Sequence, residues 1–537
     1  EPEDIQFTDG VHEELINRLA GIGDLTVIAR SSVLSFEPRN RDLQNIAQQL
    51  GVSSLMEGTV RRLGDQLRVS VQLIDVNSLG TLWSGSFEEN IDDVFEIQSR
   101  IARQVAGELQ ASLTADEEHR LDERPTDNPE AYRLYMLGQQ YISQGTQNED
   151  NLVKAEELLS RAVDEEPTFA EAWAMLARTY FSLYWFHGRT PEQLEGLKEA
   201  AERAELLNPN LPETKYAVGL YLYWSQTDHR QTLDYFESAL EQFPNHKSLH
   251  NMTAYTHRRL GNWELMVHHF KRALELDPIT GPYGELGYDY LMLRDYEKAE
   301  SYIDKALDSN PNSFLPNFIK ALIGLSKNGS LENYELWWTK IQPSDPGIEQ
   351  PYFWGEYNVL KRNWDEALRG FKNIQGETAA RSETIYLHKA YLIGMALEGQ
   401  GNQTEARLYY NQAKVHFEEL RDQYPDDALY HSELGKVYAR LGEVEKAIQA
   451  GKKATELTPA SQNANTGPFF EFNLAEIYAW TAREELAIDK LEFCLSVPHI
   501  YVHRNWIRLD PRWDPLRDNP RFQQLIAGED KPYLEGL

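Results

Sequence analysis

Prolines recur at a nearly constant interval along most of this 537-residue chain. In the middle of the series, Pro209, Pro244, Pro278, Pro311 and Pro343 are separated by steps of 35, 34, 33 and 32 residues. A fixed period of this length is typical of repeat architectures, in which each unit buries its apolar face only against its neighbours. We therefore expect a stacked array over most of the chain rather than three or four unrelated domains.

Small and aromatic residues keep fixed positions inside each interval. Counted from the start of a unit, positions 4, 7, 8 and 11 lie on one face of a first helix, and positions 20, 24 and 27 lie on one face of a second. Glycine at position 8 and alanine at position 20 let the two helices approach closely, and proline at position 32 ends the second helix. Two units show the pattern most fully: Tyr283, Leu286, Gly287, Tyr290, Ala299, Ile303, Ala306 and Pro311, and His431, Leu434, Gly435, Tyr438, Ala447, Gly451, Ala454 and Pro459.

This pattern resembles the tetratricopeptide repeat (TPR). The resemblance implies a right-handed α-solenoid of about ten helix pairs over residues 130–498. The sixth and seventh units are degenerate, and insertions fall around Gln147 and Thr190. Residues 499–537 resemble the ending of many bacterial TPR proteins and are predicted to cap the last repeat. The units end near Pro167, Pro209, Pro244, Pro278, Pro311, Pro343, Gln375, Glu418, Pro459 and Pro498.

Residues 1–115 have mixed periodicities that predict a small α/β domain, and residues 116–129 are expected to form a linker. Alternation of apolar and polar residues between Leu67 and Leu73 is typical of a half-buried strand. The predicted order is a helix over 11–22, a short buried strand over 25–29, a helix over 43–50, strands over 54–63, 67–73 and 81–87 with turns at 64–65 and 77–80, and a long helix over 94–109.

Four stretches of this region are similar in order and spacing to the TolB amino-terminal-like domain. They are residues 7–15, 27–32, 57–62 and 72–75. In that family, this domain followed by TPR repeats commonly sits behind a bacterial adenylate cyclase, a serine/threonine kinase or a winged-helix regulator, often across a membrane helix. The resemblance implies a signalling or envelope context, with a periplasmic or membrane-tethered extracytoplasmic location as the first expectation and the cytoplasm as the alternative.

The family pattern opens with an apolar strand before the Phe7–Gly10 segment, and the sequence starts at Glu1, too late to contain it. Two interpretations follow. Either the sequence is trimmed, or the sheet has an open edge that another segment could fill by strand addition.

Composition excludes several classes of partner. Lys and Arg number 53 against 85 for Asp and Glu, so the formal charge of -32 repels phosphate backbones and anionic lipid headgroups. No apolar run approaches the length of a membrane-spanning helix, so we expect no nucleic-acid partner and no direct membrane insertion of this chain. The acidity fits either salt adaptation and solubility or a docking surface for a basic partner. A single cysteine, Cys494, allows no intrachain disulfide.

Signatures of catalysis are missing from the sequence. It has no glycine-rich phosphate loop, no nucleophile elbow and no His-Glu-x-x-His motif. Acidic pairs at 92–93 and 426–427 stand at predicted helix starts, where they stabilise the helix amino terminus. We therefore predict no catalytic residue, no cofactor and no metal site. Packed, hydrogen-bonded rings are favoured over metal ligands for His246, His250, His257, His268, His269, His499 and His503.

The TPR resemblance implies that the first helix of each repeat lines a concave groove, into which positions 2, 5, 9, 12 and 13 point. Aromatic residues and arginines dominate these positions, and both residue types anchor protein interfaces. The alternative is that each aromatic ring merely packs between neighbouring helices. The groove candidates are Tyr132, Tyr135, Arg178, Phe181, Tyr221, Trp224, Tyr255, Arg258, Arg259, Tyr288, Tyr352, Tyr391, Lys436, Arg440, Phe472 and Trp480.

The sequence therefore predicts a mostly α protein that acts as a non-catalytic scaffold or adaptor. It would bind a peptide or protein segment in the groove, with aromatic anchors buried and arginines pairing acidic groups on the ligand. The chain is also a candidate subunit of a larger complex. The alternative function is a sensory or regulatory module of a larger bacterial signalling protein, and a third is an enzyme with an unfamiliar site.

Overall fold

A computed structural model describes residues 2–36, 42–63, 66–90, 94–145, 148–187, 190–225, 228–340 and 350–534. The predicted turn at 64–65, the acidic pair at 92–93, the insertion at Gln147 and the unit end at Pro343 lie outside these residues. The chain divides into two compact units. The first unit comprises Glu1–Thr256 with His268–Pro282, and the second comprises His257–Val267 with Tyr283–Leu537.

A small α/β domain opens the first unit. Its sheet has the order β1-β2-β3 and is antiparallel, with Val60 opposite Val69 and Val69 opposite Phe87. Alternate residues of β2 from Leu67 to Leu73 are buried, as the period of two predicts. The elements are α1 (Pro2–Ala20), α2 (Arg30–Val33), α3 (Leu43–Leu50), β1 (Ser54–Leu63), β2 (Gln66–Asp75), β3 (Thr81–Asn90), α4 (Val94–Glu108) and α5 (Ala115–Asp122).

The short strand predicted at 25–29 is wrong, because these residues join no sheet in the structure. Backbone groups in and next to this stretch bind residues of the repeats in the first unit instead. Asn245 Nδ2 donates to the carbonyl oxygens of Gly23 (2.8 Å) and Leu25 (2.9 Å), and the Ala29 amide donates to Leu276 O (2.9 Å). Buried backbone groups need a partner, and here the repeats supply what a strand would have supplied.

Helix pairs follow at the predicted interval. In the described residues, α6 to α25 form ten pairs, and alanines at the predicted crossing positions, such as Ala299 and Ala447, are fully buried. Glycine is required where the helices come closest: a Cβ on Gly355 would lie 2.2 Å from Phe371 Cε1. The pairs that begin in the first unit are α6 (Pro129–Ser143) and α7 (Glu149–Glu165), α8 (Ala170–Phe186) and α9 (Pro191–Leu207), α10 (Pro212–Ser225) and α11 (His229–Gln242), and α12 (Lys247–Leu260) and α13 (Trp263–Leu276).

The second unit continues the helix pairs and ends in short helices. The degenerate seventh unit is followed by a hairpin that the repeat pattern does not predict. The helices are α14 (Tyr283–Met292), α15 (Tyr296–Ser309), α16 (Phe314–Asn328), α17 (Glu332–Lys340), α18 (Gln350–Leu360), α19 (Trp364–Lys372), α20 (Lys389–Gly399), α21 (Gln403–Gln423), α22 (Ala428–Leu441), α23 (Val444–Leu457), α24 (Gly467–Trp480), α25 (Glu484–Ser496), α26 (Arg504–Leu509), a 3-10 helix (Pro511–Leu516) and α27 (Pro520–Ala527); the hairpin strands are β4 (Thr378–Arg381) and β5 (Tyr386–His388).

Apolar side chains form separate cores in the α/β domain and along the repeats. The α/β domain also has a half-open apolar pocket of about 440 Å³, lined in part by Leu15, Val71 and Val105. No helix in the part of the chain that the structure describes combines the length and the apolar character needed to span a membrane. The protein is thus mostly helical, with a small antiparallel sheet before the helix pairs.

Candidate functional site

All sixteen predicted groove residues lie on the first helix of a pair, as the repeat pattern requires. Their surroundings nevertheless differ, because some of these side chains face solvent and others contact neighbouring elements of the chain. The first unit holds Tyr132, Tyr135, Arg178, Phe181, Tyr221, Trp224 and Tyr255, and the second unit holds Arg258, Arg259, Tyr288, Tyr352, Tyr391, Lys436, Arg440, Phe472 and Trp480.

The two tyrosines of α6 are packed inside the first unit. The ring of Tyr132 meets Phe95 of the α/β domain edge-on at a centroid distance of 4.7 Å. Tyr135 is 5% exposed and lies 5.1 Å from the ring of Phe169. Burial raises the pKa of both phenols. Tyr132 thus packs against the α/β domain, and Tyr135 packs within the repeats.

An aromatic patch surrounds Trp224 on α8 and α10; we define it by Phe181, Tyr184, Trp185, Tyr223 and Trp224. Ring centroids lie 4.7 Å apart for Trp185 and Trp224, and 5.1 Å apart for Tyr223 and Trp224. The ring of Phe181 stacks on Trp224 at 6.4 Å. Trp185 is 37% exposed, so the patch reaches the surface of the first unit. Tyr223 is buried, and the other three rings are partly buried.

Arg178 lies one helical turn before Phe181 on α8 and is exposed. Its charge acts on two groups nearby. Burial raises the pKa of Glu213 to about 7, although the Arg178 charge lowers it. Burial also lowers the pKa of His246 to about 4, and the positive charges of Lys247 and Arg178 add to this effect. A cationic side chain thus stands beside the aromatic patch.

The arginines of α12 are engaged by carboxylates of the second unit. Arg258 binds Glu285 (2.7 Å) and Asp289 (3.0 Å), and its guanidinium lies 5.2 Å from the centre of the Tyr288 ring. Arg259 makes a forked ion pair with Glu383, with nitrogen–oxygen distances of 2.6 and 2.7 Å. Both guanidinium groups are buried, so their charges are compensated within the chain.

Arg440 of α22 has the same kind of environment. It binds Glu398 (2.7 Å) and Glu476 (3.0 Å), and its guanidinium lies 3.4 Å from the centre of the Trp480 ring. Tyr391 also donates its hydroxyl to Glu476 (3.1 Å). Burial acts to raise the pKa of Glu476, but the charges of Arg440 and other nearby cations outweigh it, so this pKa lies below its ordinary value.

These contacts change what the predicted arginines can do. The sequence assigned Arg178, Arg258, Arg259 and Arg440 the common role of pairing acids on a ligand. In the structure the last three hold carboxylates of the chain itself, and Arg178 is the exposed one among the four. Nothing in the local spacing distinguishes them, because the carboxylates that bind the other three lie on other repeats or on the β4–β5 hairpin.

Most of the histidines that the sequence singled out are hydrogen-bonded within the chain, whereas His268 is exposed on α13. In the first unit, His250 Nδ1 lies 3.0 Å from His269 Nδ1, and its Nε2 lies 2.9 Å from Pro244 O. In the second unit, His503 Nδ1 lies 2.8 Å from the hydroxyl of Tyr296. A different group was missed: Glu377, His388 and His416, whose ligand atoms lie within 4.8 Å of one another. These residues fit no local motif, and the hairpin that carries His388 is not part of the repeat pattern.

Carboxylates also gather where α1 meets the repeats of the first unit. A cavity of about 80 Å³ is lined in part by Glu14, Arg18, Glu171 and Glu213. Burial raises the pKa of Glu171 to about 8, and the negative charges of Glu14 and Glu213 act in the same direction. Because this carboxyl ionises less readily in the folded chain than in the unfolded one, stability falls as pH rises from about 4.5 to about 8.

We expect Glu171→Gln to raise the free energy of unfolding of the first unit by about 1–2 kcal/mol at pH 8.5 and to have little effect at pH 4.5. The substitution removes the free-energy cost of placing this charge in the folded chain. Because solvent partly reaches the carboxyl, the gain in unfolding free energy is smaller than the full pKa shift would give. Thermal unfolding across this pH range measures it. Glu192→Gln, an exposed change on α9, is the control, and an equal gain for both variants would contradict the prediction.

Comparisons with known proteins place these observations in context. Two family models described as tetratricopeptide repeat match residues 282–313 and 412–462. A protein named "Putative adenylate cyclase 3" from Rhizobium meliloti (strain 1021) is 33% identical over 227 residues, which are 42% of this chain. The chain spans 38% of the length of that relative.

Solved structures of repeat proteins are also similar. A thermophilic TPR protein of Thermus thermophilus is 23% identical with a TM-score of 0.31, over 36% of this chain and 99% of that protein. The human IFIT1 dimer with m7Gppp-AAAA is 15% identical with a TM-score of 0.40, over 68% of this chain and 78% of that one. The predicted TPR repeats are confirmed by the family models, and the helical part of this chain contains tetratricopeptide repeats.

Proposed function

We propose that this protein is a non-catalytic scaffold that binds a peptide or protein segment on the concave side of its repeats. The observation that carries the proposal is the exposed Arg178 beside the aromatic patch of α8 and α10. TPR repeats are an architecture that builds extended concave binding surfaces, which agrees with this role.

The chemistry of the patch indicates the class of ligand. Large rigid rings bury apolar area at little cost in conformational entropy, and a guanidinium binds a carboxylate through two parallel hydrogen bonds. Phe181 lies one turn after Arg178 on α8 and stacks on Trp224 of α10, so one short segment has both the rings and the charge within reach. The ligand is therefore a segment that presents an apolar side chain next to a carboxylate.

A peptide selection tests this proposal directly. A random-peptide phage library is selected against the protein, and the recovered peptides are measured by fluorescence anisotropy. We expect sequences that combine an acidic residue with an aliphatic or aromatic one. Arg178→Gln and Trp185→Ser, both exposed, should each weaken binding about 10-fold or more.

Two variants outside the patch serve as controls. Arg203→Gln removes an exposed charge from α9, and Phe493→Ser removes an exposed ring from α25. Neither should change the affinity. Peptides that bind wild type, Arg178→Gln and Trp185→Ser equally would contradict the assignment of the patch, and a selection that enriches no sequence would contradict peptide recognition.

The second candidate function is a regulatory module of a larger signalling protein, with residues 1–115 forming a TolB amino-terminal-like domain. The similarity to a protein named as an adenylate cyclase favours it, as does the order of helices and strands in the α/β domain. Immunoprecipitation from native cells and measurement of the intact mass tests it. We expect a polypeptide well above 62.0 kDa that carries a catalytic or DNA-binding region, and an intact mass equal to that of this chain would contradict it.

A further inference from the structure

Two histidine rings and a carboxylate converge beside the β4–β5 hairpin of the second unit. His388 ends β5, His416 lies on α21, and Glu377 directly precedes β4. One ligand atom from each lies within 4.8 Å of the other two, and the two imidazole rings stack at a centroid distance of 4.4 Å. They line an open recess of about 580 Å³, whose wall also carries the carboxylate of Glu419.

Hydrogen bonding leaves ring nitrogens available at this position. His388 is 5% exposed, and its buried Nδ1 has no hydrogen-bond partner among the described residues. His416 uses Nε2 to contact the hydroxyl of Tyr386 at 2.8 Å, which leaves Nδ1 as its ligand atom. Burial of a nitrogen without a partner costs free energy unless a ligand satisfies it.

The ligand types suit metal binding, because a neutral imidazole offers a lone pair on one ring nitrogen. Neutral imidazole nitrogens and a carboxylate are ligands that zinc and other divalent transition metals prefer.

We propose that Glu377, His388 and His416 form a binding site for a divalent transition-metal ion of the zinc, cobalt or nickel type. For metal–ligand bonds of about 2.1 Å in a tetrahedral arrangement, ligand atoms lie about 3.4 Å apart. The three ligand atoms reach this spacing when they move closer together by about 1 Å. The exposed side chain of Glu377 can rotate inward to allow this. Glu419 or water completes the coordination.

Tyr386 holds one of the ligands in place. Metal-bound histidines almost always donate the other ring N–H to an oxygen, which fixes the orientation of the ring. Here that oxygen is the hydroxyl of Tyr386, which in turn accepts a hydrogen bond from Thr378 Oγ1 (3.0 Å). Tyr386 is therefore a positioning residue for His416.

Titration of the metal-free protein with CoCl2 and ZnCl2 tests the site. We expect one Co²⁺ per chain with the visible absorption of a tetrahedral complex, displaced by Zn²⁺, and a rise in the thermal midpoint on addition of Zn²⁺. His416→Gln should weaken Zn²⁺ binding by about 100-fold or more, and Glu377→Gln and Tyr386→Phe by about 10- to 100-fold.

His269→Gln is the matched control, because it changes one member of the other close histidine pair and should leave the affinity unchanged. Circular dichroism checks the fold of each variant, and the exposed Glu377 provides a variant that leaves the core intact. Saturable binding that is unaffected by Glu377→Gln and His416→Gln would overturn the assignment. So would the lack of saturable binding by either metal to the wild type.

Discussion

Arg440→Met is expected to lower the free energy of unfolding of the second unit by about 3–5 kcal/mol. The substitution keeps much of the side-chain volume but leaves two carboxylates, Glu398 and Glu476, without their buried cation. It also removes the contact between the guanidinium and the ring of Trp480. Hydrogen exchange of α20, α22 and α24 measures the loss locally, which suits a repeat array that does not unfold in a single step.

The pH dependence of this effect has a definite sign. In wild type, the lowered pKa of Glu476 contributes stability that is present above the ordinary glutamate pKa and is lost as pH falls. Without Arg440, protonation of Glu476 becomes more favourable, so the difference between variant and wild type should shrink between pH 7 and pH 4. Lys446→Met, which removes a 59% exposed partner of Glu443, should cost about 0.5 kcal/mol or less. A similar cost for both variants would contradict the prediction.

Trp513→Ala is expected to destabilise the carboxy-terminal repeat by about 3–5 kcal/mol. The indole is fully buried in the 3-10 helix and lies 5.0 Å from the ring of Phe472 on α24. It belongs to a core cluster shared by α24, α25 and the residues after 499. Loss of this ring leaves a cavity between the 3-10 helix and the last helix pair, whose core depends on the residues after 499.

Limited proteolysis combined with hydrogen exchange measures this effect. We expect faster cleavage and exchange in α24 to α27, with α20 to α23 much less affected. Tyr533→Ala, which truncates a 42% exposed ring in the same segment, should change stability by less than about 0.5 kcal/mol. Uniform acceleration along the whole second unit, or no acceleration at all, would contradict a capping role for residues 499–537.

Two residues of the predicted groove, Arg440 and Trp480, have a structural role in the second unit. Arg440 and Trp480 were predicted to contact a ligand, yet the contacts of Arg440 with Glu398, Glu476 and Trp480 join three repeats of the second unit. Substitutions at these positions would weaken binding by disturbing the fold. Arg178 and Trp185 are exposed, so changes there separate loss of recognition from loss of structure.

The repeat architecture follows from the sequence because its causes are local. Glycine, alanine and proline at fixed positions determine how close two neighbouring helices come and where the second one ends, as at Gly355 and Phe371. The period of two in β2 likewise predicts which side chains are buried. Each of these features depends on residues within one repeat or one hairpin, so a single sequence contains the whole pattern.

Only the tertiary structure decided which predicted residues are engaged within the chain and where the three residues of the proposed metal site come together. Arg259 meets Glu383 across 124 residues, and His388 meets His416 across 28, so no spacing rule connects them. The predicted strand at 25–29 failed for the same reason, since its backbone partners are supplied by Asn245 and Leu276. Burial and charge compensation depend on what the folded chain brings alongside a residue, and that is a property of the packed repeats.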